Sequence, residues 1–115
     1  SGSVADRVWA VLKQLGPCVP ANPKPVFHAD DLAVVSARTV GSDDSHLKFE
    51  VRQRGGSAGE TYDAIGFGMG EKLSVLRESQ DTGTPVELLF SLEENTLNGR
   101  TTLQLKARDV RLDEA

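Results

Sequence analysis

The dipeptide Asn98-Gly99 sits between two runs of alternating apolar and polar residues, and it constrains the fold more than any other stretch of the chain. A two-residue hairpin turn of type I′ needs positive φ at both central positions, and Asn-Gly meets that need well. Such a turn pairs Leu97 with Arg100. Counting outward sets Leu92 opposite Leu105 and Phe90 opposite Ala107. Apolar then meets apolar on one face, so the pattern and the turn agree on a single register. The first run, Val86 to Glu93, turns Val86, Leu88, Phe90 and Leu92 inward. The second, Thr101 to Val110, turns Leu103, Leu105 and Ala107 inward.

A second hairpin is written in His46 to Phe67. Leu47, Phe49 and Val51 alternate with Lys48, Glu50 and Arg52, the signature of a half-buried strand. Gly55-Gly56-Ser57-Ala58-Gly59 has turn composition. Tyr62 to Phe67 reads as the returning strand. One face of this hairpin is apolar and needs a partner. The other is charged and is the place to look for a ligand.

Upstream, Val4, Val8, Val11, Leu12 and Leu15 recur at helical spacing, Ser3 and Asp6 resemble a capping box, and Gly16-Pro17 supplies a stop. An amphipathic helix is predicted over 3–15, with Trp9 beside its apolar stripe. Four of the five prolines fall between 16 and 27. Proline restricts both itself and its predecessor, so Asn22 to Phe27 is an extended, rigid connector. Leu32 to Val40 reads as a strand, and Gly41 to Ser45 as a polar turn. At Gly68 to Ser79 the period changes, with Met69, Leu73 and Leu76 on one helical face, and Asp81 to Pro85 ends that helix. The division expected is residues 1–27 for helix and connector and 28–115 for a single folded domain.

The resulting order is strand, strand, strand, helix, strand, strand. That is the order of an OB-fold, a mostly β, five-stranded Greek-key barrel with a helix between strands three and four. A different small barrel would not readily seat a three-turn helix there. With 115 residues the chain can bury one modest core.

Four stretches, taken in order, resemble the OB domain of RecJ-type single-strand-specific DNA exonucleases. They are Asn22 to Phe27; Val35 to Gly41 leading to His46-Leu47-Lys48; Tyr62 to Gly68; and Asn95 with Asn98-Gly99-Arg100 before Leu103-Gln104-Leu105. Together they cover most of 15–110. One departure is visible. The family's Pro-Phe-Gly-x-Gly run reads Pro17-Cys18-Val19-Pro20-Ala21 here. The resemblance implies a 5′-to-3′ exonuclease of DNA repair and recombination as the parent chain. Its divalent metal and catalytic chemistry would lie in a separate Asp- and His-rich core. The present chain would be the non-catalytic piece that helps hold single-stranded DNA for that core. It opens in helical character and is expected to be part of a longer protein.

Composition sets limits on this expectation. Thirteen Lys and Arg stand against 17 Asp and Glu, a net charge of −4, which counts against tight nucleic-acid binding. No apolar run approaches the ~20 residues of a membrane span, so no membrane partner is expected. The lone Cys18 can form no internal disulfide. A buried or incidental thiol is the better reading, and a cytoplasmic protein the default.

Catalytic motifs are not found. Gly66-Phe67-Gly68-Met69-Gly70 superficially suggests a dinucleotide loop, but the third glycine of the fingerprint falls on Glu71. Glycines easing a strand-to-helix corner is the stronger reading. His28, Asp30 and Asp31 are close in sequence but offer too few ligands for a metal site. Polar residues at a strand edge is the plainer reading.

The candidate nucleic-acid contacts are Lys48 and Arg52 on strand two, Arg38 on strand one, and Lys106, with Arg108, on strand five. Arg100 stands beside Asn95 and Asn98 at the last turn, and His46 at the start of strand two. Tyr62 is the one plausible stacking platform, a core role being equally open, because the four Phe read as core. The competing reading makes the same barrel a docking module for its own catalytic domains or a partner, with little DNA contact. A positive groove carrying an exposed aromatic supports DNA; a flat apolar patch supports docking.

Overall fold

The computed structural model describes residues 25–55 and 60–114. The expected N-terminal helix, Trp9, Cys18 and most of the proline-rich connector lie outside them. Five strands and one helix follow in the anticipated order. They are β1 (Phe27–Val40), β2 (His46–Gln53), β3 (Tyr62–Gly66), a 3₁₀ turn (Gly70–Lys72) leading into α1 (Leu73–Thr82), β4 (Val86–Leu97) and β5 (Arg100–Leu112). The sheet closes in the order β1-β2-β3-β5-β4, with β3 and β5 parallel and the other neighbours antiparallel. This is the five-stranded OB barrel with its helix between β3 and β4.

The Asn98-Gly99 turn forms as predicted, with φ of 53° and 76°. Leu97 pairs with Arg100, Leu92 with Leu105 and Phe90 with Ala107. Past that point the ladder slips by one residue: Leu89 faces Asp109, and Arg108 is the extra residue of a bulge. Both strands are longer than the sequence suggests. Arg100 is the first residue of β5 rather than part of a loop. Gly99→Val is expected to cost at least ~1 kcal/mol, because a β-branched residue is forced to positive φ. No atom crowds the site within 4 Å, so the cost is purely conformational. Urea titration of the two proteins checks it, and an unchanged midpoint would contradict the turn.

Strand β1 begins at Phe27, five residues before the Leu32 start expected. Asp30-Asp31, expected at the edge of the strand, form a corner within it. Asp31 adopts φ 56°, a conformation Asp tolerates better than most residues. Its N–H donates to the Asp113 carboxylate, and its carbonyl accepts from Arg54 N–H. Before the corner β1 pairs with β4; after it, with β2. Leu32, fully buried, pairs with both Gln53 and Val86 and is the pivot.

The core is one cluster. Leu47, Phe49 and Val51 of β2 meet Val86, Leu88 and Phe90 of β4, Leu105, Ala107 and Val110 of β5, and Leu76 of α1. Each large side chain removed from water in this way stabilises the barrel by ~1.5–3 kcal/mol. The helix runs to Thr82, beyond the stop expected at Asp81. Gly83 at φ 77° ends it, returning its N–H to the Ser79 carbonyl. The β1–β2 turn has Gly41 at φ 97° and Asp44 at φ 55°. There the Ser45 side chain hydrogen-bonds the Asp43 carboxylate and lowers its pKa below the usual aspartate value.

Candidate functional site

The outward face of the β1-β2-β3-β5 sheet is ordered in rows by its register. Arg38 of β1 lies directly opposite Lys48 of β2. Lys48 lies opposite Ile65 of β3, and Ile65 opposite Lys106 of β5. Three cations therefore stand in one row across four strands, Arg38 and Lys48 one strand spacing (~5 Å) apart and Lys48 and Lys106 two (~10 Å). Ile65 is covered yet stands outside the core cluster, as an outward residue between long neighbours would. Arg38 and Lys48 also line one shallow concavity with Ser36, Glu50 and Asp63. Among the described residues, neither Arg38 nor Lys48 has an ion-pair partner. Lys106 has one in Glu93, at 3.7 Å.

The rows on either side differ in chemistry. Toward the middle of β2, Ser36, Glu50 and Asp63 form an acidic border, with Glu50 and Asp63 facing each other across β2 and β3. Toward the β1–β2 turn, His46 meets Phe67 in an edge-to-face contact, with centroids 5.5 Å apart and planes at 76°. Gly68 N–H donates to His46 Nδ1 at 3.0 Å. That nitrogen is therefore the acceptor, and the neutral ring carries its proton on Nε2. Lys106 Nζ stands 5.7 Å from the Phe67 ring centroid.

The structure thus gathers Arg38, Lys48, Lys106 and His46 and separates the other candidates. Arg52 shares the outward side of β2 with Lys48 but lies four residues away, ~13 Å along the strand. It belongs to another concavity, with Arg54, Gln80, Thr84 and Pro85 at the end of α1. Arg100 is exposed on the β4–β5 hairpin, in a hollow with Asn95, Leu97, Asn98 and Thr102. The same projecting tip leaves Leu97 71% exposed. Tyr62 pairs with Val51 and is partly buried against the core, its hydroxyl 3.5 Å from Glu60. It is not an outward platform. Among the described Phe, Tyr and Trp residues, the aromatic on the outer face is Phe67, 57% exposed, which its apolar character assigns to the core with the other Phe.

His28, Asp30 and Asp31 do not converge. His28 lies 3.7 Å from Glu87, and Asp31 pairs with Arg54. Among the described residues no group of three or more His, Cys, Asp or Glu is placed to hold a metal ion. Nor is any described helix long and apolar enough to cross a membrane.

Residues 3–109 match the family model described as the RecJ OB domain. Among solved structures the chain is similar to RecJ of Thermus thermophilus in complex with Mg²⁺, at 26% identity and a TM-score of 0.51. The match covers 97% of this chain and 15% of that one. The same protein in complex with Mn²⁺ gives 26% identity and a TM-score of 0.53, over 97% of this chain and 14% of that one. The chain therefore spans about one-seventh of the RecJ chains it matches. No curated protein sequence matches it.

Proposed function

The chain belongs to the RecJ OB-domain family, and on that premise we propose that its barrel holds single-stranded DNA for a catalytic core carried elsewhere in a longer chain. That longer chain would be a divalent-metal-dependent 5′-to-3′ exonuclease acting in DNA repair and recombination in the cytoplasm. The metal and the hydrolysis would reside in its core. The barrel would contribute binding alone, with the catalytic domains as its protein partners.

One observation carries this reading. Arg38 and Lys48 stand directly opposite each other and, among the described residues, have no carboxylate ion-pair partner, in a row continued by Lys106. A row of cations across the strands is what a phosphate backbone crossing the barrel requires. Phosphate contacts carry no base information, so binding is indifferent to sequence. The net charge of −4 opposes the approach of a polyanion, so binding is weak.

Fluorescence anisotropy with a labelled single-stranded oligonucleotide, at several salt concentrations, tests the proposal on the 115-residue chain. Binding is expected at low salt. Each phosphate contact adds ~0.7 to the log–log salt slope, so Arg38→Ala with Lys48→Ala should lower it by about 1.4. Arg52→Ala alone should leave it nearly unchanged, because that residue lies beside the helix end. Absence of binding at low salt, or a double variant with the wild-type slope, would hand the face to the docking reading. The acidic border and the exposed Leu97 at the hairpin tip are the features that favour docking.

A further inference from the structure

We propose that Phe67 is a stacking seat for one unpaired nucleobase, set beside the cation row so that base and phosphate of the same strand are held together. The inference rests on the reading of this face as a single-strand binding surface, and it adds to that surface a contact that charge alone does not supply.

Four observations converge on Phe67. It is 57% exposed, whereas Phe49 and Phe90 are buried and Phe27 and Tyr62 pack against the core. It follows the last residue of β3, two positions beyond Ile65, so it sits one step along the strand from the row of Arg38, Lys48 and Lys106. Its ring is held rather than loose: His46 meets it edge to face, and the Gly68 N–H bond to His46 Nδ1 ties the imidazole to the same corner. Gly68 turns the chain at φ 70°, which lets the backbone leave the strand at once without covering the ring.

Lys106 and the base compete for this ring. A base stacked face to face on an aromatic ring holds it more strongly than an exposed lysine does through a cation–π contact. The base prevails. The displaced ammonium, on its flexible stem, is then free to take the neighbouring phosphate. Stacking uses the π-face that every base has, so the seat accepts purines and pyrimidines alike.

The test compares Phe67→Ala and Phe67→Tyr with wild type on two labelled oligonucleotides of equal length, one of thymidines and one of abasic residues. Both present the same phosphates. Phe67→Ala is expected to weaken thymidine binding at least about fivefold with the salt slope unchanged. It should leave the abasic strand bound as by wild type, and Phe67→Tyr should keep wild-type affinity for both. If wild type binds and Phe67→Ala binds the thymidine strand equally well, the seat is wrong and the cation row stands. If Phe67→Ala weakens both strands equally, the residue acts on the fold or on Lys106, and the seat is again wrong. If wild type binds neither strand at low salt, the single-strand reading falls and takes the seat with it.

Discussion

Gly70→Ala is expected to destabilise the barrel by about 2–3 kcal/mol, while Gly66→Ala, four residues earlier, costs under ~1 kcal/mol. Gly70 lies where the β3–α1 corner crosses the β1–β2 turn. A Cβ there would sit 2.2 Å from the Asp44 carbonyl oxygen and 3.2 Å from the Ser45 carbonyl. Both are backbone atoms and cannot rotate aside. The approach is fixed by the Gly70 N–H bond to the Ser45 carbonyl, 2.9 Å, so relieving the clash also lengthens or breaks that bond. Overpacking of this kind costs ~1–3 kcal/mol, and the bond a further ~0.5–1.5. Alanine's better helix propensity returns ~1 kcal/mol at most in the 3₁₀ turn, so the sign is settled in favour of loss. At Gly66 the nearest atom to a new Cβ is Met69 Sδ, at 2.8 Å, which can swing aside, and the next, Met69 Cβ at 3.2 Å, needs only a shift of a few tenths of an ångström. Urea unfolding of the three proteins measures the difference. Equal midpoints for Gly70→Ala and wild type would show that the corner and the turn are not pinned together.

The same corner shows which parts of this molecule can be read from residue order. Asn98-Gly99 fixes its own register because a two-residue turn leaves no freedom, and the pairing holds from Leu97 and Arg100 to Phe90 and Ala107. The slip at Arg108 cannot be read. A bulge answers the coiling of the closed barrel, which no local pattern records. Asp30-Asp31 looks like a strand end because both residues are polar. Only the closure of β1 onto β4 and then β2 shows it to be a corner. Lys48 and Arg52 share a strand face by simple alternation, yet a site on a sheet is assembled across strands. Neither connection flanking β2 is short enough to set a cross-strand register, so the Arg38–Lys48–Lys106 row is out of reach of the sequence. Phe67 is within reach. Asp63 must face water, and Phe67 has the same parity along the strand. Its apolar character outweighs that parity when it is assigned to the core.

Inverting the acidic border, Glu50→Lys with Asp63→Lys, is expected to raise affinity for single-stranded DNA about thirtyfold at low salt. Glu50 and Asp63 lie opposite one another, one step along the strands from Lys48, in the same concavity as Arg38. They repel any phosphate that the cation row attracts. Each residue changes by two charge units. At ~0.5 kcal/mol per unit for the exposed Asp63 and the half-exposed Glu50, the pair contributes ~2 kcal/mol, which is about thirtyfold. Two new phosphate contacts steepen the log–log salt slope by about 1.4. The fold should tolerate the change. The native residues are already a like-charge pair directly across the ladder, and two lysines keep that relation, so stability should stay within ~1 kcal/mol of wild type. The weak Ser36 hydroxyl contact to Glu50, 3.4 Å, is the bond lost. Net charge rises with the substitution, so a matched control is needed to separate the local row from the overall field. Glu78→Lys with Asp81→Lys makes the same change in net charge at exposed positions of α1, away from the row. Anisotropy titrations of the two double variants decide between the causes. A large gain confined to the Glu50 and Asp63 variant places DNA on the row of Arg38, Lys48 and Lys106. Equal gains for both variants would mean that DNA responds to total charge alone, and the row would no longer be the site.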